Sequence, residues 1–138
     1  MSAVYVLDAC ALLAIINNEQ GADRVEGILR EALEGNTVVY MNKINLYEVY
    51  YGIYRVDGQT NADKVYQIIQ KQPIDIIDVF SDDVFREAAR LKAKYKISLA
   101  DSIALGEASM RNASLLSSDH HEFDIVEQQE SIKFDWIR

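Results

Sequence analysis

With 138 residues, 49% of them hydrophobic and only 6 Gly and 1 Pro, the chain can fill one core and has no linker-like stretch, so a single domain over residues 1–138 is expected. A formal charge of −8 excludes a protein that grips nucleic acid through a broad basic surface, because such binding neutralises many phosphates; any contact has to be local or bridged by cations. The one cysteine, Cys10, excludes an intrachain disulfide, no apolar run of about 20 residues is present to span a bilayer, and Asp8 interrupts an N-terminal apolar run that lacks basic residues, so a cytoplasmic protein without membrane contact is expected.

In chain order, Val4 to Leu7 reads as a strand buried on both faces, and Ala11 to Ile16 as a short helix after Asp8. Gly21 to Leu33 has apolar residues at helical spacing, and Thr37 to Met41 is a second, β-branched strand. Two helices are predicted over Lys43 to Val56 and Thr60 to Lys71, then a strand over Ile74 to Val79. Helices over Asp82 to Tyr95 and Leu99 to Asn112 follow, the second capped by Ser98. Ala113 to Ser117 is a fourth strand, His120 to Glu130 a polar loop, and Ile132 to Ile137 a last short strand. This alternation, with crossovers of a dozen residues or more, predicts a parallel sheet covered by helices on both faces.

Four acids stand out. Asp8 lies at the carboxyl end of the first strand, where open α/β sheets place their ligands, although an Asp there also serves as a helix N-cap. Asp119 holds the equivalent position after the fourth strand, its plain alternative being a turn residue. Glu48, in NLYEVYYG, shares a helical face with Asn45 and Gly52, with Tyr51 and Gly52 where a supporting Lys or Arg would stand. Asp101, in SLADSIALGEA, shares a stripe with Ala104, Leu105 and Ala108; Ser98 to Asp101 also reads as a capping box. Two carboxylates about 4 Å apart repel by roughly 4 kcal/mol at an effective dielectric of 20, so convergence of the four implies bound protons or bound cations. Hard oxygen donors suit Mg²⁺ or Mn²⁺, and an ion so held activates water for phosphodiester cleavage.

At these positions the chain resembles the PIN-domain nucleases, and among them the short VapC-like toxins of type II toxin–antitoxin pairs. VYVLDACALLA resembles the family's opening strand and acid, NLYEVYYG its helix-borne Glu, SLADSIALGEA its second Asp, and LLSSDHHEF its final acid with a Phe after it. The resemblance implies a PIN-like three-layer α/β/α fold with a central, mostly parallel sheet of four to five strands. It also implies an Mg²⁺- or Mn²⁺-dependent endoribonuclease acting on RNA, dimeric, and silenced by a cognate antitoxin. Asp8, Glu48, Asp101 and Asp119 would then be the catalytic, metal-binding acids. Cys10 departs from the Ser or Thr usual there, and a thiol is a poor Mg²⁺ ligand.

Two other readings compete: a signalling receiver domain and a PIN-like scaffold or RNA-processing subunit that does not cleave. A receiver pairs two acids after its first strand and carries a Lys late in the sheet, whereas here residue 9 is Ala and no suitable Lys follows. The intact set of four acids counts against the scaffold. Arg86, Arg90 and Lys94 read as a solvated face in preference to an RNA contact, and Tyr47, Tyr51 and Tyr54 as a dimer or antitoxin interface. Asp124 is a second-tier acid, and His120 and His121 are loop residues with general-base chemistry as their alternative.

Overall fold

The computed structural model describes residues 3–138. Five strands, β1 (Ala3–Leu7), β2 (Thr37–Asn42), β3 (Asp75–Ile77), β4 (Ser114–Ser117) and β5 (Lys133–Trp136), form one sheet in the order β3-β2-β1-β4-β5. Every strand pairing is parallel, with Val6 opposite Tyr40 on one side and Leu115 on the other. The order runs outward from β1 in one direction through β2 and β3, then in the other through β4 and β5. The topological switch point therefore lies between β1 and β4, and their carboxyl ends carry Asp8 and Asp119.

Among the described residues seven helices accompany the sheet: α1 (Ala9–Ile16), α2 (Ala22–Leu33), α3 (Lys43–Asp57), α4 (Gln59–Gln70), α5 (Asp82–Lys94), α6 (Leu99–Met110) and α7 (His120–Gln129). Side chains alternate across each strand, so the sheet feeds two cores. Leu7, Val39, Met41 and Leu116 pack with α1 to α4, while Val6, Leu115, Tyr40 and Phe134 pack with α5, α6 and α7. This is the three-layer α/β/α arrangement expected. No described helix is long and apolar enough to cross a membrane.

Two sequence expectations need correction. His120 to Glu130 is not a loop: α7 starts there because the Asp119 side chain accepts from the Glu122 amide, and Phe123 and Val126, three residues apart, are fully buried. The third strand is shorter than Ile74 to Val79, since pairing stops at Ile77 and Val79 and Phe80 turn out to solvent.

Two glycines are required by geometry. Gly106 lets α6 approach α5, because an added Cβ would lie 3.2 Å from the Ala88 Cβ. Gly21 has φ +100°, and an added Cβ would fall 2.7 Å from the Ile137 carbonyl oxygen. Gly21→Ala is expected to cost about 2 kcal/mol or more through backbone strain plus this clash, measured as a lower urea midpoint at unchanged m-value.

Candidate active site

Asp8 follows β1 directly and is 1% exposed. Its Oδ1 accepts from the Ala11 amide at 2.8 Å, so it does cap α1. Capping does not compensate its burial: desolvation is the largest effect on its carboxyl, and the Asp119 and Glu48 charges add to it. Hydrogen bonds from Ser117 and the Ala11 amide oppose this, and the carboxyl still sits at about 7, far above the usual value.

Asp101 lies in the first turn of α6, with its amide donating to Ser98 Oγ at 3.1 Å, so Ser98 caps this helix as expected. Its carboxyl is also raised to about 7, by burial first, then by Asp8, with Asp119 and Glu48 adding to the effect. Glu48, on α3, is half-buried and raised by desolvation, while a side-chain hydrogen bond from Asn45 pulls it back. Asp119, half-buried, caps α7 and adds its charge to the field at Asp8 and Asp101. All four acids act on the thiol of Cys10, which burial and this field push up to about 12, so it stays protonated and neutral. The fold thus brings all four predicted acids into one negative field at the switch point.

Several residues that hold this site went unrecognised in the sequence. Ser117, fully buried at the end of β4, accepts from the Asp119 amide at 3.0 Å and donates to Asp8, coupling the two strand-end acids through one hydroxyl. Asn45, also fully buried, donates from Nδ2 to the Ala100 carbonyl at 3.0 Å, joining α3 to the first turn of α6. It therefore ties the helix bearing Glu48 to the one bearing Asp101. Asn42 caps α3 through the Ile44 amide and donates to Glu107 Oε2 at 2.7 Å, and Glu107 is 0% exposed. The available signals were a polar residue three before Glu48 on its own face, and a Glu in an otherwise apolar helical stretch.

The second-tier candidates lie outside the cluster. His120 meets the Asp124 carboxylate at 2.8 Å through Nδ1 and the Arg138 carbonyl at 2.9 Å through Nε2, and it stacks on Trp136. Both partners accept, which favours the protonated ring and raises its pKa, and both ring nitrogens are engaged. Arg90 and Lys94 are also occupied, both of them paired with Glu130.

The donor set fits a hard divalent cation: four carboxylates, two of them held well above their usual pKa for want of compensating charge, and the buried Asn45 Oδ1 without a partner. Among the described residues no three Asp, Glu, His or Cys side chains are drawn together tightly enough to enclose an ion.

Solved structures with the same fold include VapBC2 from Rickettsia felis bound to a DNA fragment from their promoter (20% identity, 96% of this chain and 98% of that one, TM-score 0.76). Others are a toxin–antitoxin complex from Klebsiella pneumoniae (21%, 88% and 90%, TM-score 0.60) and VapC20 from Mycobacterium tuberculosis, described as a sarcin-ricin loop cleaving toxin (14%, 82% and 86%, TM-score 0.58). No curated protein matches in sequence. The PIN-domain family profile matches residues 5–128, running from the middle of β1 to all but the last residue of α7 and containing all four acids, and the chain belongs to the PIN-domain family.

Proposed function

We propose that the protein is a divalent-metal-dependent endoribonuclease, the toxin of a toxin–antitoxin pair, with Asp8, Glu48, Asp101 and Asp119 as its metal-binding and catalytic acids. The observation that supports this reading is that four acids from four separate elements share one electrostatic field at the switch point, where burial and mutual repulsion raise the pKa of two of them. Such a cluster weakens the metal-free fold, so it is a cost without a cation to offset it.

Asp8, Glu48, Asp101 and Asp119 would hold Mg²⁺ or Mn²⁺, which supplies a water activated at neutral pH and neutralises charge on the cleaved phosphodiester. The chain contributes rigidity. Ser117 fixes Asp8 relative to Asp119, Asn45 fixes Glu48 relative to Asp101, and the Ser98 cap holds Asp101 in the first turn of α6. A carboxylate not engaged by the metal orients the attacking water and takes its proton. The toxin assignment and the antitoxin partner are supported by the likeness in fold to toxin–antitoxin complexes, and a homodimeric state is proposed on the family resemblance alone.

The test is cleavage of total RNA in Mg²⁺ or Mn²⁺ by the wild type, Asp101→Asn and Asp119→Asn. Asn retains the capping capacity of Asp at position 119, so folding is preserved. Loss of cleavage by at least about a hundredfold in both variants is expected. Undiminished cleavage by both removes the four-acid mechanism, and no cleavage by any form favours a binding scaffold.

A further inference from the structure

The chain is acidic, and five of its 14 Lys and Arg residues, Arg24, Arg90, Lys94, Arg111 and Arg138, pair with a carboxylate. Two of the unpaired cations lie on α3. Lys43 and Arg55 enter no ion pair among the described residues, and Arg55 instead lies over the Tyr51 ring at 5.2 Å. Arg55 is seven residues beyond Glu48, which returns it to the same helical face to within roughly 20°. Between them on that face is Gly52, where an added Cβ would meet nothing within 4 Å. The acid site therefore continues along α3 as an open path that ends in a cation.

Aromatic rings flank this path. Tyr51 and Tyr47 pack against each other at 5.3 Å between centroids and are 39% and 60% exposed. Beyond Tyr47, α3 and α4 border an open pocket of about 260 Å³ lined by Lys43, Leu46, Tyr47, Tyr50, Asp63 and Tyr66. Tyr50 donates to Asp63 at 2.6 Å and meets Tyr66 edge-on, so the floor is fixed.

Resting on the nuclease reading above, we infer that the Tyr47–Tyr51 face of α3 is the subsite for single-stranded RNA next to the scissile phosphate. The backbone passes over Gly52 to Arg55, and bases stack on Tyr51 and Tyr47 toward the pocket that Lys43 borders. Every base offers a π-face, so this contact gives affinity with little sequence preference, and the local cations supply the attraction that the overall charge denies. Sequence alone assigned these tyrosines to a protein interface. Their continuity with the acid face, the unpaired cations and the pocket favour RNA instead.

The test is anisotropy of a short fluorescein-labelled single-stranded RNA with wild type and variants in EDTA, where binding is read without cleavage. Tyr47→Leu/Tyr51→Leu is expected to bind about tenfold or more weakly, and Tyr47→Phe/Tyr51→Phe within about twofold of wild type, because stacking needs the ring and not the hydroxyl. Arg55→Ala is expected to reduce the slope of log affinity against log salt by about 0.7. In metal-loaded cleavage the Leu pair raises KM and spares kcat. Equal RNA affinity of the Leu pair and wild type overturns the subsite, as does a Leu pair whose only change is a shift of sedimentation from dimer to monomer. Cleavage with unchanged KM in the Leu pair removes the subsite and leaves the nuclease standing, whereas a wild type that neither binds nor cleaves RNA removes both.

Discussion

Asp8→Asn is expected to make the metal-free protein more stable at pH 8 while reducing metal-dependent cleavage by about a thousandfold. The stability half follows from linkage. The folded-state carboxyl titrates near 7 against 3.8 for the unreacted group, so the folded chain prefers the protonated form. Stability from this group is complete below about pH 4, declines as pH rises toward 7, and is lost above it. The gap corresponds to about 4 kcal/mol at full effect. Asn is uncharged at every pH, accepts from the Ala11 amide as Asp8 does, and serves as well at an N-cap. The variant should therefore melt about 5 to 10 °C above wild type in EDTA at pH 8, and no higher than wild type at pH 4. Millimolar Mg²⁺ or Mn²⁺ should raise the wild-type melting temperature at pH 8 and narrow the gap, because a ligand confined to the folded state stabilises it. A variant that melts below wild type in EDTA at pH 8 would show that the Asp8 charge is compensated by the chain itself.

That trade between stability and function bears on what the sequence could disclose. Helix α5 is legible because burial on one side imposes a period on its residues, and β1 and α6 because burial on all sides leaves apolar runs that Asp8 and Asp101 interrupt or end. What escapes is whatever depends on a partner distant in sequence. Ser117 looks like any residue at a strand end until Asp8, 109 positions earlier, is placed beside it. Asn45 shares the Glu48 face, but nothing local discloses that it is buried and bonded to the Ala100 carbonyl, 55 positions on. Helix α7 was missed for a related reason: its buried stripe is only Phe123 and Val126, and the surrounding polar residues outvote two positions in any window. Strand order has no local signature either, so the switch point between β1 and β4 emerges only from the fold.

Glu107 is the sharpest instance, and it yields the second large effect. Its carboxylate is fully buried in α6, receives Asn42 Nδ2 at 2.7 Å and Arg111 Nε at 3.1 Å, and Arg111 lies over the Tyr40 ring at 4.1 Å. Arg111→Met leaves that carboxylate in the interior with only a neutral amide for company, at an expected cost of about 3 to 5 kcal/mol. Glu107→Gln/Arg111→Met removes both charges and keeps an oxygen for Asn42, so most of that loss should be recovered. Urea unfolding of the two single variants and the double measures the coupling directly. Because Asn42 also caps α3 through the Ile44 amide, hydrogen exchange at Ile44 should speed up in Arg111→Met and return toward wild type in the double variant. A single-variant cost below about 1 kcal/mol would mean that water reaches Glu107 and that the pair is an ordinary surface bridge. The larger cost places the pair in the support of α3, the helix that carries Glu48, and gives a structural role to an acid outside the four proposed as catalytic, held where no solvent reaches it.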